Sequence, residues 1–364
     1  MNKTLFKFLL KRTYPIIIIG FAILFVFFPL PVIFTQVNTH SIAIDSYARI
    51  FYTPPTETKL YLATIAIMIL SYILPIFIRN TILSKSKCDQ ILSLPIKKSK
   101  LFLTTSVFTY LSLIATWTLM MLFGILFASF RSFPVHYEYY FLYTISMYLI
   151  SAAAFATSSL FASLANNKLD CWILVIISTI FPILLATGIQ SATRYSPSEE
   201  IFVSLSPIFA SNNLTEFFQN KMIIYPQGYI DYMEQYPGSI DVIFSLGNTL
   251  SYISAVVFAI GFFILSYFQN IKFKAEDAGE LSNYPYSYKL IIPLLYAIIL
   301  FDSNIPAMFG DMLTVVFVIS YSSICYFVTF FIFNRKIRID KWMVIFFFVS
   351  LLGSVGLSKL LLIS

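Results

Sequence analysis

Few residues in this sequence could carry acid–base or nucleophilic chemistry. The two histidines, His40 and His136, belong to no cluster with metal-ligand spacing, and the chain has no GxxxxGK[ST], HExxH or GxSxG motif. The best pairs for an enzyme acting on a lipid or a peptide are His136 with Glu138 and Asp302 with Asp311. Neither pair has a third group to complete a reactive cluster. We therefore expect no catalytic residue, no metal site and no cofactor in this chain.

The three cysteines, Cys88, Cys171 and Cys325, are widely separated and form no CxxC motif. This spacing argues against a disulfide framework or a zinc site. We expect ordinary buried or loop thiols.

A second kind of chemistry, recognition of a partner surface, is indicated by the stretch KSKCDQILSLPIKKSK at residues 85–100. Asp89 is suited to cap a short helix there, and Pro95 would end it. Lysines flank both ends, and an apolar side would be formed by Ile91, Leu92 and Leu94. Such a helix could lie on anionic lipid, or it could dock into a groove of a soluble partner.

The elements that position this stretch are predicted to be membrane helices. The chain has 364 residues, of which 59% are hydrophobic and only 11% are charged, whereas a soluble domain has about 25% charged residues. Several apolar runs reach the roughly 20 residues that a span requires. The sequence therefore predicts an all-α polytopic membrane protein with about nine spans, at 14–35, 60–78, 101–130, 141–164, 171–189, 246–268, 290–308, 312–333 and 342–363.

The distribution of Lys and Arg predicts the orientation. With the N-terminus in the cytoplasm, eighteen of the 24 Lys and Arg residues fall in inner segments and six in outer ones. This is the bias of the positive-inside rule, so the C-terminus is predicted outside. The net charge of +7 resides in gaps between apolar runs, which argues against nucleic-acid binding.

Acidic and small residues in the spans are candidates for parts of a transport path. Asp170, Asp302 and Asp311 lie near predicted span ends, where we interpret them as interfacial caps. A carrier driven by protons needs ionisable groups inside the membrane, and groups at span ends do not meet that need. The run SAAAFATSS at 151–159 predicts close helix packing or, alternatively, a lining of the substrate path. The acidic, tyrosine-rich segment 190–245 is predicted to lie on or dip into the outer leaflet.

Two motifs resemble the permeases of ABC-2 type exporters. DQILSLPIKKSKLFLT resembles their coupling-helix segment, and KAEDAGE at 274–280 resembles their E-x-A-G signature after the sixth span. The order of a basic inner loop, a long third span and a bulky outer segment is similar as well. The resemblance implies a six-helix permease core at 1–273, with the outer segment 190–245. The three spans of residues 274–364 would form a C-terminal extension.

The resemblance also implies partners and a mechanism. Two ABC ATPase subunits would bind ATP and magnesium, and a second permease subunit, identical or different, would complete the transporter. Membrane lipid would surround it in the bacterial plasma membrane. Coupling to the ATPase would fall to Asp89, Gln90, Ile91, Leu92, Ser93, Leu94 and Pro95. A second cytoplasmic contact would fall to Glu276, Ala278 and Gly279.

The expected function is therefore ATP-driven outward movement of an amphipathic or apolar substrate such as a peptide, an antibiotic or a lipid. This chain would not itself be an enzyme. Two alternatives share the same architecture: a sensor or immunity protein without transport, and a polytopic membrane enzyme acting on lipid or peptide.

Overall fold

A computed structural model provides the structure of the chain. The residues that it describes are 3–30, 38–44, 47–53, 57–83, 88, 97–130, 137–193, 206–222, 246–274, 278, 288–302, 312–334, 339 and 341–363. The helices are α1 (Lys3–Phe27), α2 (Glu57–Ile82), α3 (Lys98–Phe130), α4 (Tyr137–Ser163), α5 (Lys168–Thr193), α6 (Pro207–Met222), α7 (Leu246–Lys272), α8 (Tyr288–Asp302), α9 (Met312–Asn334) and α10 (Lys341–Ile363).

The predicted helical membrane class is confirmed. Each of the nine predicted spans overlaps a described helix, and α6 is an additional helix within the predicted outer segment. Five helical stretches of the described part are long and apolar enough to cross a membrane, in α2, α3, α4, α7 and α9. The apolar parts described in α1, α8 and α10 are shorter, so the total of nine spans stays a prediction.

A β-hairpin between α1 and α2 was not predicted. Strand β1 (Asn38–Ile44) pairs antiparallel with β2 (Tyr47–Thr53), with Asn38 opposite Thr53 and Ile44 opposite Tyr47. Isoleucine and threonine on both sides of Asp45-Ser46, together with the tyrosines of β2, favour strands joined by a short connection. Residues 45 and 46 lie outside the described residues.

The chain divides into two compact units. Unit 1 comprises Met1–Pro75, Ser99–Thr157 and Pro207–Ile264, and unit 2 comprises Ile76–Lys98, Ser158–Ser206 and Leu265–Ser364.

In unit 1, α1 packs closely on α2 and α3. A Cβ atom added at Gly20 would lie 3.4 Å from a methyl carbon of Leu70 in α2. The ring of Phe25 meets that of Phe127 in α3 edge to face, with 6.4 Å between centroids. Ring pairs of this kind contribute about 0.5–1.5 kcal/mol beyond the area that they bury.

In unit 2, α8 packs against α5, α9 and α10. Tyr296, Tyr326 and Phe347 form the aromatic centre of this packing, with Tyr296 and Phe347 stacked at 5.2 Å. The Tyr326 hydroxyl donates to the Met343 carbonyl oxygen at 2.9 Å. The predicted C-terminal extension therefore shares its packing with α5, which belongs to the predicted permease core.

The small-residue run of α4 is packed, as one of its two interpretations predicted. From Ser151 to Ser159 every residue is buried except Ala152, which is half-buried. Within unit 2, Ser159 Oγ lies 2.8 Å from Ser266 Oγ of α7, so the two hydroxyls bond across helices.

Candidate functional site

The predicted coupling residues 89–95 lie outside the described residues, as do Glu276 and Gly279. Ala278 is described and is fully buried. Residues that flank these two segments are described, and Lys98 and Phe273 among them contact each other.

Arg79 is the centre of this place. It lies in the last turn of α2 and is 5% exposed. Its Nη1 donates to Asn270 Oδ1 at 2.7 Å, and its Nη2 donates to the carbonyl oxygens of Ser163 at 3.4 Å and Ala165 at 3.5 Å. The guanidinium also lies over the Phe273 ring, with Cζ 4.1 Å from the centroid. One side chain therefore links the end of α2 to the ends of α4 and α7.

The local sequence explains why a cation is stable there. The last carbonyl groups of a helix have no partner within it, and a positive charge beside them is favoured by the helix dipole. Ser163 is the last residue of α4, and the Ala165 carbonyl follows within two residues. A buried charge is costly unless it is hydrogen-bonded, and the planar guanidinium can serve several acceptors at once. Arg79 thus stabilises the end of α4 while it contacts α7.

Lys98 makes the second link between the flanks. It is the first residue of α3, and its Nζ donates to the Phe273 carbonyl oxygen at 3.0 Å. The first residue of α3 is therefore bonded to the residue that directly follows α7. We call Arg79, Lys98, Asn270, Phe273 and the carbonyl groups of Ser163 and Ala165 the Arg79 cluster.

The beginning of α5 is fixed by a reciprocal cap. Asn167 Oδ1 accepts from the Asp170 backbone N–H at 2.9 Å, and the Asn167 side-chain amide donates to the Asp170 carboxylate. The first bond satisfies a backbone N–H that has no partner within the helix. The Asp170 carboxylate places a negative charge where the helix dipole favours it. Asn167 is therefore the cap residue and Asp170 its partner in the first turn, while the interfacial position of Asp170 stays a prediction.

The helix ends in the Arg79 cluster are those that the Lys and Arg count assigns to one side of the membrane. They are the ends of α2, α4 and α7 and the beginning of α3. The shared side is thereby supported by contacts, while the absolute orientation stays a prediction.

A different cluster lies in unit 1, around Tyr143 of α4. The Tyr143 hydroxyl bonds to Thr64 of α2 and lies 3.3 Å from Thr215 Oγ1 of α6, and the two threonine oxygens are 2.9 Å apart. Phe218 of α6 meets the Tyr143 ring edge to face at 5.6 Å between centroids. On another side Trp117 of α3 lies at 6.1 Å. We call these five residues the Tyr143 cluster.

The Tyr143 cluster is polar but uncharged. All five residues are buried. The Trp117 indole N–H has no hydrogen-bond partner among the described residues. Three hydroxyls, an indole and a phenyl ring provide an environment for neutral groups. The cluster also packs α6 into unit 1, where the sequence predicted only that the outer segment contacts or enters the outer leaflet.

The residues considered for an enzyme are not brought together by described contacts. Glu138 is exposed at the beginning of α4, and His136 and Asp311 lie outside the described residues. Only the backbone of Asp302 is described. Among the described residues, no group of three or more His, Cys, Asp or Glu side chains could hold a metal ion. The three cysteines form no disulfide, and Cys325 is exposed while the other two are buried.

Sequence reasoning missed the contact roles of Arg79, Asn270 and Tyr143. Arg79 was only one of many inner cations, although it follows the apolar run ILPIFI directly. A charged residue at the end of such a run is a usable signal, because it must find partners when the helix is packed. The identity of those partners depends on helices distant in sequence.

Comparison with known proteins identified no relative of this chain. No protein-family model, no curated protein and no solved structure matches this chain.

Proposed function

We propose that this protein is the membrane permease subunit of an ATP-driven exporter of the ABC-2 type. Residues 89–95 form its coupling segment, and Glu276, Ala278 and Gly279 form a second cytoplasmic contact. ATP and magnesium are bound by partner ATPase subunits, and a second permease subunit completes the assembly. The protein resides in the plasma membrane with its N-terminus in the cytoplasm and its C-terminus outside.

The observation that carries this proposal is the Lys98–Phe273 hydrogen bond. Lys98 lies within the motif DQILSLPIKKSKLFLT, after the predicted coupling residues 89–95, and Phe273 directly precedes KAEDAGE. Two motifs about 180 residues apart, each read as an ATPase contact, thus have adjoining flanks. A soluble partner could contact both segments at one place, as the proposed mechanism requires.

The proposed cargo is neutral and amphipathic or apolar, such as a peptide, an antibiotic or a lipid. The support for this class is the aromatic and nearly charge-free composition of the predicted third and fifth spans, 101–130 and 171–189. A charged cargo would require a compensating charge, because burying an unpaired charge is expensive.

The coupling segment is tested by co-expression with the ABC ATPase encoded nearest to this chain. We expect the ATPase to co-purify with the permease and to hydrolyse ATP in lipid nanodiscs. Leu92→Asp or Leu94→Asp should dissociate the ATPase or lower ATP turnover by at least about tenfold, which corresponds to the loss of roughly 1.4 kcal/mol of contact. We expect the permease itself to fold, because both residues lie outside the predicted spans.

The matched control is Ile339→Asp. Ile339 is 64% exposed and lies in another loop predicted to be cytoplasmic, so the same chemical change is made outside the proposed contact. We expect this variant to retain ATPase binding and turnover. Failure of the unmodified chain to associate with an ATPase would refute the proposed function.

A further inference from the structure

We propose that the beginnings of α5, α8 and α10 together form a binding surface for anionic phospholipid headgroups. Six residues make up this surface, which we call the lysine surface: Lys168, Leu169, Lys289, Leu290, Lys341 and Trp342. All of them belong to unit 2. The inference concerns the lipid that the protein selects from the membrane around it, and it does not depend on the exporter assignment.

The packing of unit 2 places the three helix beginnings close together. Each of the three lysines is the first or second residue of its helix. Tyr288 at the beginning of α8 and Met343 at the beginning of α10 belong to one buried cluster. Ile173 of α5, less than two turns after Lys168, packs against the same cluster. Lysines that are distant in sequence are therefore brought to one end of unit 2.

The positive charge of the lysine surface is exposed. Within the described part of the chain, none of its three ammonium groups takes part in a hydrogen bond or an ion pair. Among the residues of unit 2 whose side chains the structure describes, every exposed charged residue is a lysine, and Asp170 is buried. The segments 84–96, 275–287 and 335–340, which adjoin α3, α8 and α10, contain five basic and five acidic residues and so add no net charge.

The helix dipole does not account for lysines at these positions. The beginning of a helix favours negative charge, and neither α8 nor α10 has an acidic residue in its first turn. The charge of each lysine therefore adds to that of the helix end beside it. A negative group supplied from outside the chain would be attracted by both.

Each lysine of the surface is followed directly by an exposed apolar side chain. Leu169 is 58% exposed, Leu290 is 39% exposed and Trp342 is 69% exposed. Leu290 and Trp342 also begin the predicted spans 290–308 and 342–363. At the boundary of a bilayer, a lysine extends to the headgroups while an apolar residue beside it contacts the acyl chains, and tryptophan is enriched there. A lipid surface therefore fits both residue types, whereas the acidic face of a soluble protein would match the lysines alone.

The charge of the surface selects the class of lipid. Basic residues near a membrane attract anionic lipids, and basic sites between membrane helices bind their headgroups. A zwitterionic headgroup carries its own positive charge and would neutralise the three lysines less well. We therefore expect anionic phospholipid to be enriched at the lysine surface relative to phosphatidylcholine.

Trp342 provides a fluorescent probe inside the surface. With Trp117→Phe and Trp172→Phe it is the single tryptophan of the chain, and brominated acyl chains that contact it quench its fluorescence. The full chain is placed in vesicles of equal parts phosphatidylglycerol and phosphatidylcholine, with bromine on only one of the two lipids. We expect brominated phosphatidylglycerol to quench more strongly, with a preference on the order of tenfold.

Two triple variants with the same change in net charge test whether the preference is local. The test variant combines Lys168→Gln, Lys289→Gln and Lys341→Gln. It should be quenched about equally by the two lipids. The matched control combines Lys97→Gln, Lys272→Gln and Lys274→Gln, three exposed lysines beside the beginning of α3 and the end of α7. It should retain the preference at Trp342.

A salt titration of the unmodified surface keeps the test decisive if the triple test variant does not fold. Raising the NaCl concentration from 0.1 M to 1 M shortens the Debye length from about 10 Å to about 3 Å, so the preference for phosphatidylglycerol should fall. If the background with the two Trp→Phe changes does not fold, the difference in quenching between the unmodified protein and Trp342→Phe reports the same contact.

Three outcomes would overturn the proposal. They are equal quenching by the two lipids in the unmodified surface, a preference that persists in the test variant, and a preference that the matched control loses to the same extent. Equal quenching combined with loss of ATPase co-purification in the test variant would assign the surface to a soluble partner instead. A chain that binds no ATPase would overturn the exporter assignment and leave the lipid measurement unaffected.

Discussion

Buried polar side chains make the most specific contacts among the described residues. Arg79 bonds to acceptors on α4 and α7, and Tyr143 bonds to threonines on α2 and α6. Inside a bilayer an apolar side chain gains little by exchanging lipid for protein, so polar contacts and close packing determine which helices associate. These few residues therefore carry more information about helix arrangement than the many Phe and Leu residues around them.

The hydroxyl of Tyr143 is expected to make a small but measurable contribution. Tyr143→Phe should lower the free energy of unfolding by about 0.5–1.5 kcal/mol, since the ring contacts with Phe218 and Trp117 stay. The loss is limited because Thr64 and Thr215 also donate to carbonyl oxygens within their own helices. Unfolding of the detergent-solubilised protein by denaturant would measure it.

Tyr61→Phe is the matched control for that prediction. Tyr61 is 41% exposed on α2, so removal of its hydroxyl should leave stability unchanged. If both variants lost the same stability, the effect would not come from the Tyr143 cluster.

At the scale of helices, close approach in unit 1 depends on a glycine. Phe28, which directly follows α1 and is fully buried, packs against Gly124 of α3, and a Cβ atom there would lie 2.8 Å from the ring carbon Cζ. Atoms at that distance repel, so any larger residue must displace the ring. Because Gly124 has no side chain, the Phe28 ring can pack directly against α3.

Gly124→Ala should destabilise the protein by about 1–3 kcal/mol through this overlap, despite the better helix propensity of alanine. Gly261→Ala in α7 is the control, because a Cβ there meets nothing within 4 Å. It should be neutral or slightly stabilising. Thermal unfolding of both variants would compare them, and Phe28→Leu should partly restore the stability of Gly124→Ala. A neutral Gly124→Ala variant would contradict this packing.

The long helix α3 shows how element length relates to the membrane. Its 33 residues correspond to about 50 Å, compared with a hydrocarbon core of about 30 Å. The sequence predicted the excess length from the run 101–130, and the structure extends the helix back to Lys98. That extension brings the Lys98 ammonium to Phe273, so the excess length includes a residue of the Arg79 cluster.

For the whole molecule, the two compact units and the sidedness of the loops matter most. Both units are assembled from three separate stretches of chain, and unit 2 combines the last three helices with α5. The four helix ends in the Arg79 cluster lie together, in agreement with the Lys and Arg count. Contacts between segments that are distant in sequence therefore hold each unit together.

Cysteine labelling tests the absolute orientation. In a background without native cysteines, Lys97→Cys and Lys274→Cys should react with a membrane-impermeant maleimide only after the cells are opened. Glu138→Cys, exposed at the beginning of α4, should react in intact cells. The physical reason is the Lys and Arg bias, which retains basic loops in the cytoplasm. Labelling of residue 97 in intact cells would contradict the orientation and, with it, the proposed ATPase contact.

The sequence by itself determined the helical membrane class and the approximate positions of the helices, because both follow from the length and polarity of contiguous runs. It also placed Asp170 at a helix end, although the cap residue there is Asn167, three positions earlier. The hairpin of β1 and β2 was missed because its alternation is short and lies between two dominant apolar runs. Only the tertiary structure decided that Arg79, Lys98, Asn270 and Phe273 meet, and that α6 is bound to α2 and α4 through Thr215. Such contacts join residues separated by 72 to 191 positions. A lipid-facing and a protein-facing apolar residue have the same sequence pattern, so pairing emerges only when the helices pack.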